Sequence, residues 1–208
     1  MQQLSNHLCT VEIDLDPTYT VDSADNRPYD RVLNPQGYHH SDAIHTFSIR
    51  IELPDRTLML ALIGHYSSYP YDCALLEEDQ LLVLQSRTIT RLRIWDGEIL
   101  EQRPIPCTDV MNSLYALPDG YLLVGTLEVF RVDRQFREVW RYGTDFTVQW
   151  RMEQDHLRLW EEKGFDRHWV STRLGFDGKL LPEDHPAVKL DKLGGKVKGI
   201  IARNQTRS

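Results

Sequence analysis

A short pattern that recurs at nearly constant spacing limits the folds open to this chain. An acidic turn residue followed by a short strand occurs at 79–84, 119–124 and 155–160, which read DQLLVL, DGYLLV and DHLRLW. The copies begin 40 residues apart (79 to 119) and then 36 residues apart (119 to 155). A period of about 40 residues is typical of repeated β-meanders. The sequence therefore predicts repeated units built from strands.

Each copy lies in a unit of four predicted strands joined by tight turns. The units span 73–105, 112–142 and 146–181, and each contains an Asp-Gly turn, at 96–97, 119–120 and 177–178. In the third unit Val148, Trp150 and Met152 alternate with polar residues, which is the period-two pattern of a strand. No window sustains a helical apolar stripe over three turns. We therefore expect an all-β protein of antiparallel four-stranded meanders.

Residues 1–64 predict further strands and one long loop. Strands are expected at 11–15 and in a hairpin of 47–53 with 57–63, which turns at 54–56. Residues 18–41 lose periodicity and predict an irregular loop. Residues 182–208 form a basic tail in which 197–202 is a candidate last strand. We expect residues 1–208 to form a single domain.

The three units resemble the blades of quinoprotein-like β-propellers. The segments 129–140, 94–100 and 174–181 carry this resemblance, because each reads as a strand, an Asp-containing turn and an outer strand. The resemblance covers 73–181 and implies a small or incomplete propeller-like fold, without implying any activity. Three blades alone leave sheet edges unpaired, so we expect the N-terminal strands to add a sheet. A β-sandwich is the alternative arrangement.

Charge and sequence patterns restrict the partners and the chemistry. The formal net charge of −7 disfavours nucleic acid and anionic membranes and is compatible with a basic protein partner. The longest apolar run, 58–63, is far shorter than the ~20 residues of a membrane-spanning helix. No signal-peptide pattern opens the chain, so we expect a cytoplasmic protein. The three cysteines form no CxxC pair, and no cofactor motif occurs, so no cofactor is expected.

Tyrosines are the best candidates for binding a partner. Tyr66, Tyr69 and Tyr71 lie in the predicted loop HYSSYPYD, and Tyr38 lies in the long loop before it. Exposed tyrosines often anchor protein contacts because they offer a large contact area at a low entropic cost. The plainer alternative is that these rings fold back over a sheet edge.

His39, His40 and His45, with Asp42 among them, are candidate metal ligands. Imidazole and carboxylate groups at this spacing suit zinc or another divalent ion, although solvated loop histidines explain the same pattern.

These observations favour a non-enzymatic protein-binding domain over an enzyme. In size and charge the chain is similar to the immunity proteins that neutralise toxins, so an antitoxin-like role is the narrower hypothesis. One alternative is a metal-dependent hydrolase or lyase using His39, His40 and His45, and another is a carbohydrate or small-ligand binder with tryptophan platforms. Neither a nucleophile elbow nor a phosphate-binding loop occurs. Open sheet edges also leave room for a homo-oligomer.

Overall fold

The computed structural model of the protein describes residues 1–42, 44–65, 72–108, 110–163 and 168–182. These residues contain no helix, and therefore none that is long and apolar enough to span a membrane. The chain divides into two compact units, Met1–Thr144 and Asp145–Ser208. In chain order the strands are β1 (Gln2–Ser5), β2 (Thr10–Asp16), β3 (Arg31–Leu33), β4 (Ile44–Glu52), β5 (Thr57–His65), β6 (Ala74–Glu77), β7 (Gln80–Gln85), β8 (Thr88–Arg93), β9 (Ile99–Pro104), β10 (Met111–Leu117), β11 (Gly120–Gly125), β12 (Glu128–Asp133), β13 (Glu138–Gly143), β14 (Thr147–Met152), β15 (His156–Lys163), β16 (His168–Gly175) and β17 (Leu180–Leu181).

The first sheet of the unit Met1–Thr144 contains five strands in the order β1-β2-β4-β5-β3. Along β2, Val11 and Ile13 point into the core, whereas Glu12 and Asp14 lie on the opposite face. β4 and β5 pair in antiparallel register over their whole length, as the hairpin pattern predicts. The N-terminal strands therefore form the additional sheet that we expected beside the repeats.

The segment between β2 and β4 is more ordered than its composition indicates. Its strand β3 pairs in parallel with Leu60–Leu62 of β5, so the prediction of an entirely irregular loop was wrong at Arg31–Leu33. Three residues are too few to show a strand period. Their pairing partner also lies about 30 residues away in the sequence, beyond the reach of local patterns.

The predicted meanders are confirmed. The unit Met1–Thr144 contains two sheets, β6-β7-β8-β9 and β10-β11-β12-β13, and the unit Asp145–Ser208 contains β14-β15-β16-β17. Neighbouring strands in all three sheets are antiparallel and follow chain order, as in propeller blades. The chain is therefore all-β and propeller-like. The candidate last strand at 197–202 lies outside the described residues.

The turn between the third and fourth strands recurs in all three meanders. Gly97, Phe136 and Gly178 occupy the same left-handed position, with φ of 67°, 59° and 83°. Glycine suits this conformation, and Phe136 is the exception. Its ring stacks on Tyr121 with centroids 5.4 Å apart, and the Arg91 guanidinium lies 5.2 Å from its centroid. These contacts compensate the strained backbone. Each turn is also closed by an aspartate Oδ1 that accepts an amide N–H, at Asp96, Asp133 and Asp177.

The second sheet, β6 to β9, is covered on both faces. Leu81 and Val83 of β7 belong to the core shared with the first sheet. Leu82 and Leu84 belong to the core shared with the third sheet. This double burial explains why β7 is a continuous apolar run rather than an alternating one.

A side-chain amide joins the first sheet to the second. Gln2 of β1 donates from Nε2 to the carbonyl oxygen of Ala74 at 2.9 Å, and its Oε1 accepts from the Ala74 N–H at 3.0 Å. Gln2 thus makes the two bonds that a neighbouring strand would make with buried Ala74. Farther along, Asn6 Nδ2 donates to the carbonyl oxygen of Glu78 at 2.8 Å.

A charged and aromatic cluster joins the second sheet to the third. The Tyr121 hydroxyl donates to Glu77 Oε2 at 2.7 Å. Arg134 forms an ion pair with Glu77, lies over the Tyr121 ring at 4.9 Å and donates to the carbonyl oxygen of Leu117 at 3.0 Å. Tyr121 is buried, and its hydroxyl keeps hydrogen-bond partners in half-buried Glu77 and exposed Arg134, so burying this tyrosine leaves its polar group paired.

We predict that Gln2→Ala destabilises the protein by about 1–3 kcal/mol, because it leaves the buried N–H and C=O of Ala74 without partners. Urea unfolding measures the change. The neighbouring exposed Gln3→Ala is the matched control and should change stability little. Equal effects of the two substitutions would show that Gln2 does not join the sheets.

Candidate functional site

The buried carboxylate of Asp16 fastens the long loop onto the outer face of the first sheet. Asp16 ends β2, and its side chain is 1% exposed. Its Oδ2 accepts from the Tyr29 hydroxyl at 2.7 Å and lies 3.0 Å from Arg27 Nε. Its Oδ1 accepts from the hydroxyl of Thr18 at 2.7 Å and from the Thr18 N–H at 3.1 Å. One carboxylate therefore holds three positions of the loop.

The electrostatics of this contact favour an ionised Asp16 and a neutral Tyr29. Burial opposes ionisation of Asp16, but the hydrogen bonds from Tyr29 and Thr18, with Arg27 nearby, lower its pKa overall. Burial raises the pKa of Tyr29 to about 12, against a smaller lowering by the Ser48 hydroxyl. Both groups therefore keep the protonation states that their hydrogen bond requires at neutral pH.

Three reciprocal pairs hold the rest of the loop. Asn26 Oδ1 accepts from the Thr20 N–H at 2.9 Å, and Asn26 Nδ2 donates to the Thr20 carbonyl at 2.6 Å. Asn34 makes the same two bonds with the backbone of Tyr38, at 2.9 and 2.8 Å. Asp30 binds Met59 of β5 twice, through its N–H at 2.8 Å and its Oδ2 at 2.7 Å. The loop is a fixed surface, because side chains replace the missing strand pairing.

Tyr38 and the candidate histidines lie near the end of this loop. Tyr38 is half-buried, its hydroxyl donates to Gln36, and burial followed by the nearby Asp42 raises its pKa. Asp42 Oδ2 accepts from the His39 N–H at 2.6 Å and closes a turn. His39 and His40 are exposed, and His45 is half-buried at the start of β4.

The described part of the chain contains no group of three or more His, Cys, Asp or Glu residues that could hold a metal ion. The structure therefore does not bring His39, His40 and His45 together as ligands, and it offers no geometric support for the metal-dependent alternative.

The other candidate tyrosines, Tyr66, Tyr69 and Tyr71, lie outside the described residues. The strands that flank this segment are β5, which ends at His65, and β6, which begins at Ala74. His65 pairs with Ile44 at the start of β4, and Ala74 pairs with Val83 near the end of β7. These two strand ends lie close together, because Gln85 Nε2 at the end of β7 donates to the carbonyl oxygen of His45 at 2.7 Å. In the sequence, Tyr38 lies six residues before Ile44, where β4 begins.

Acidic charge is concentrated on this first sheet and its loop. Residues 1–65 contain nine acidic side chains and four arginines, a formal charge of −5 out of −7 for the chain. Buried Asp16 is fully engaged, and the exposed acids are Asp14, Asp22, Asp25, Asp30, Asp42 and Asp55. We call the loop 17–42 together with the outward face of β2 the acidic loop face.

The arginines of the second and third sheets are largely paired with acids. Arg93 contacts Asp96 and Glu98, and Arg137 contacts Asp133 at 2.6 Å. Further ion pairs join Arg91 to Glu101, Arg131 to Asp119, and Arg141 to Glu138. These guanidinium groups are therefore largely engaged with neighbouring carboxylates.

Sequence patterns alone did not reveal the anchoring residues of this site. Asp16 lies on the same face of β2 as Glu12 and Asp14, where the alternating pattern predicts solvent-exposed side chains. Its contacts with Tyr29 and Arg27 form only when the loop folds back over the strand. The Pro17 that ends β2 is the one local signal that the chain turns back over Asp16.

No protein-family model matches this sequence, and no curated protein matches it. Solved structures with a similar fold include the computationally designed Ika8 protein, with 12% identity, a TM-score of 0.48 and coverage of 71% of this chain and 48% of that one. BamB from Moraxella catarrhalis has 14% identity, a TM-score of 0.44 and coverage of 72% and 50%. The Neurospora crassa Pan2 WD40 domain has 10% identity, a TM-score of 0.43 and coverage of 68% and 48%. The chain spans about half the length of these three structures.

We predict that Asp16→Asn destabilises the protein by about 2–3 kcal/mol, because the amide loses the charge paired with Arg27 and presents a donor to neighbouring donors. Chemical denaturation measures this change. Asp14→Asn removes the same charge from an exposed position of the same strand and should have an effect below about 0.5 kcal/mol. A loss no greater than that of the Asp14 variant would contradict the anchoring role.

The stability difference between wild type and Asp16→Asn should depend on pH in a defined way. Since the folded-state pKa of Asp16 is lowered, its contribution is complete above the unfolded pKa of about 3.9 and disappears as pH falls through the lower folded value. Denaturation from pH 7 to pH 2 measures the difference at each pH. A difference that grows as the pH falls would contradict the lowered pKa.

Proposed function

We propose that this chain is a non-enzymatic protein-binding domain and that the acidic loop face docks a basic surface of its partner. The observation that carries the proposal is a loop that Asp16 holds in place and that carries four exposed aspartates of its own, Asp22, Asp25, Asp30 and Asp42. A surface with this charge attracts cationic partners over a distance and orients them as they approach.

The fixed loop also lowers the entropic cost of binding. An ordinary connection of this length would lose conformational freedom when it docks, at a cost of about 1 kcal/mol for each immobilised side chain. Here the reciprocal pairs of Asn26, Asp30 and Asn34 hold the backbone before any partner arrives. Binding energy from the aspartates and from Tyr38 is therefore available for affinity.

A narrower form of the proposal is an immunity or antitoxin-like role. Such a protein blocks a basic toxin by covering its active surface, which requires a rigid, acidic and catalytically inert face. The acidic loop face has the charge and the fixed backbone for that task. A protein partner with a clustered Lys and Arg surface fits both the general and the narrower form.

We predict that the double variant Asp14→Lys with Asp25→Lys binds the partner at least tenfold more weakly than the wild type does. Neither side chain holds the loop to the sheet, so the fold should persist. The matched control is Glu78→Lys with Asp145→Lys, which changes the net charge equally at exposed positions that are not among the residues of this face. The wild-type chain captures the partner from cells in which it is native, and the purified pair is then measured by titration calorimetry at two salt concentrations.

The proposal requires that binding weaken with salt, that the control bind as the wild type does, and that the face variant bind at least tenfold more weakly. Equal affinity of the two double variants would place the interface elsewhere. A captured partner that carries a net negative surface, or the absence of any partner, would overturn the proposal.

A further inference from the structure

Two arginines of the first sheet and its hairpin turn reach one turn of the second sheet. Arg31 of β3 donates from Nη1 to the carbonyl oxygen of Asp96 at 2.9 Å. Arg56, in the turn between β4 and β5, donates from Nη2 to the carbonyl oxygen of Trp95. Trp95 and Asp96 are consecutive residues of the turn that joins β8 to β9. Two guanidinium groups therefore converge on one short segment, and we call Arg31 and Arg56 the arginine pair.

The shape of that turn brings the two guanidinium groups together. Gly97 N–H donates to the carbonyl oxygen of Arg93 at 2.9 Å, which is the i to i+4 bond of a single helical turn. The carbonyl groups inside such a turn point toward its C-terminal end, where they attract cations. The turn also packs closely on the first sheet, because a Cβ added to Gly97 would lie 2.6 Å from Leu60 Cδ2. The arginine pair therefore binds neighbouring carbonyl groups of a segment that is fixed against the first sheet.

The arginine pair keeps most of its hydrogen-bonding capacity. A guanidinium group carries five N–H donors, and within the described residues Arg31 and Arg56 each use one of them, on a backbone carbonyl. In that part of the chain neither arginine forms an ion pair with a carboxylate. Arg93, in contrast, donates twice to Asp96 and also to Glu98. The carboxylate of Asp96 is therefore already engaged, and the arginine pair has donors to offer to another anion.

An exposed tryptophan belongs to the same turn. Trp95 is 37% exposed, although a side chain of this size is usually buried more deeply. Its own carbonyl oxygen accepts from Arg56, so this residue and the arginine pair share one stretch of surface. Tryptophan and arginine are the residue types enriched at the energetic centres of protein interfaces. The turn therefore presents hydrogen-bond donors for an anion with apolar area beside them.

We propose that the arginine pair binds the carboxylate of an Asp or Glu side chain on a partner protein, next to an apolar residue that packs on Trp95. Guanidinium N–H groups match the two oxygens of a carboxylate, and such charge-assisted hydrogen bonds are about twice as strong as neutral ones. A carboxylate at this position also offsets the repulsion between the two positive charges. This site takes an acidic segment, whereas the acidic loop face takes a basic one, so each is tested without the other.

A singly charged carboxylate fits this position better than a phosphate does. Asp30 and Asp55 directly precede the two arginines in the sequence, and both are exposed. These acids, together with the formal net charge of −7, repel a doubly charged phosphate more strongly than a carboxylate. Nucleic acid is disfavoured for the same reason, since its binding depends on many phosphate contacts.

The test titrates the isotope-labelled full chain with the peptide N-acetyl-Leu-Asp-Leu-amide and follows three NMR signals. These are the indole N–H of Trp95, which Trp95→Phe identifies by removing it, and the Nε–H groups of Arg31 and Arg56. The comparison peptide N-acetyl-Leu-Asn-Leu-amide has nearly the same shape without the charge. The Asp peptide should shift all three signals to saturation and bind at least tenfold more tightly than the Asn peptide.

Variants of the arginine pair supply the second readout. Arg31→Gln with Arg56→Gln should bind the Asp peptide at least tenfold more weakly, because glutamine keeps a donor but not the charge. The matched control is Arg87→Gln with Arg151→Gln, which removes the same charge at exposed positions outside the arginine pair and should bind as the wild type does. Thermal unfolding confirms that both double variants fold, and the two peptides on the wild type decide the outcome if one does not.

Three results would overturn the proposal. The first is equal binding of the two peptides, or no saturable shift with either. The second is a loss of Asp-peptide binding in the control double variant as large as in the variant of the arginine pair, because net charge alone would then explain it. The third comes from a titration with inorganic phosphate: tighter binding than the Asp peptide at the same three signals would assign the site to a phosphate ligand.

Discussion

The structure depends on how antiparallel sheets bury both of their faces without leaving polar backbone groups unpaired. The second sheet contributes Leu81 and Val83 to one core and Leu82 and Leu84 to another, so it must be joined to a neighbour on each side. Apolar contact supplies most of that association, but it provides no hydrogen-bond partners for the backbone N–H and C=O groups where two sheets meet. Gln2 meets this requirement on one side by imitating a strand. Tyr121, Glu77 and Arg134 meet it on the other side with a paired charge and an aromatic ring.

The same requirement explains the acidic loop face. The outer face of the first sheet carries Asp16, Thr46 and Ser48, which are buried and polar. The loop 17–42 packs on this face, and Tyr29, Thr18 and Arg27 satisfy the central carboxylate. A covering loop that must match buried polar groups becomes as fixed as a strand. The aspartates that it leaves outside then form a preorganised charged surface, which is the physical basis of the proposed binding role.

Sequence patterns predicted the parts of this fold in which strands that pair are also neighbours in the sequence. The 40-residue period and the period-two alternation gave the meanders and the hairpin of β4 with β5, because neighbours in those sheets are neighbours in sequence. The parallel strand β3 and the anchor at Asp16 were not predicted, since each depends on a contact whose partner is distant or lies in an irregular segment. Phe136 likewise occupies the left-handed turn position that is glycine in the other two meanders, and its packing on Tyr121 explains why a phenylalanine is found there. Tyr38 was identified as a candidate from its residue type, and its role as a binding residue stays a prediction.

Native-state amide hydrogen exchange across residues 17–42 tests most directly whether the loop is a fixed surface. The amides of Thr18, Thr20 and Tyr38 donate to the side chains of Asp16, Asn26 and Asn34, outside any strand ladder. If these side chains hold the loop, all three amides exchange at least a hundredfold more slowly than in an unstructured peptide. Exchange at the rate of a free peptide would contradict the account, because the acidic loop face would then have no defined shape to present to a partner.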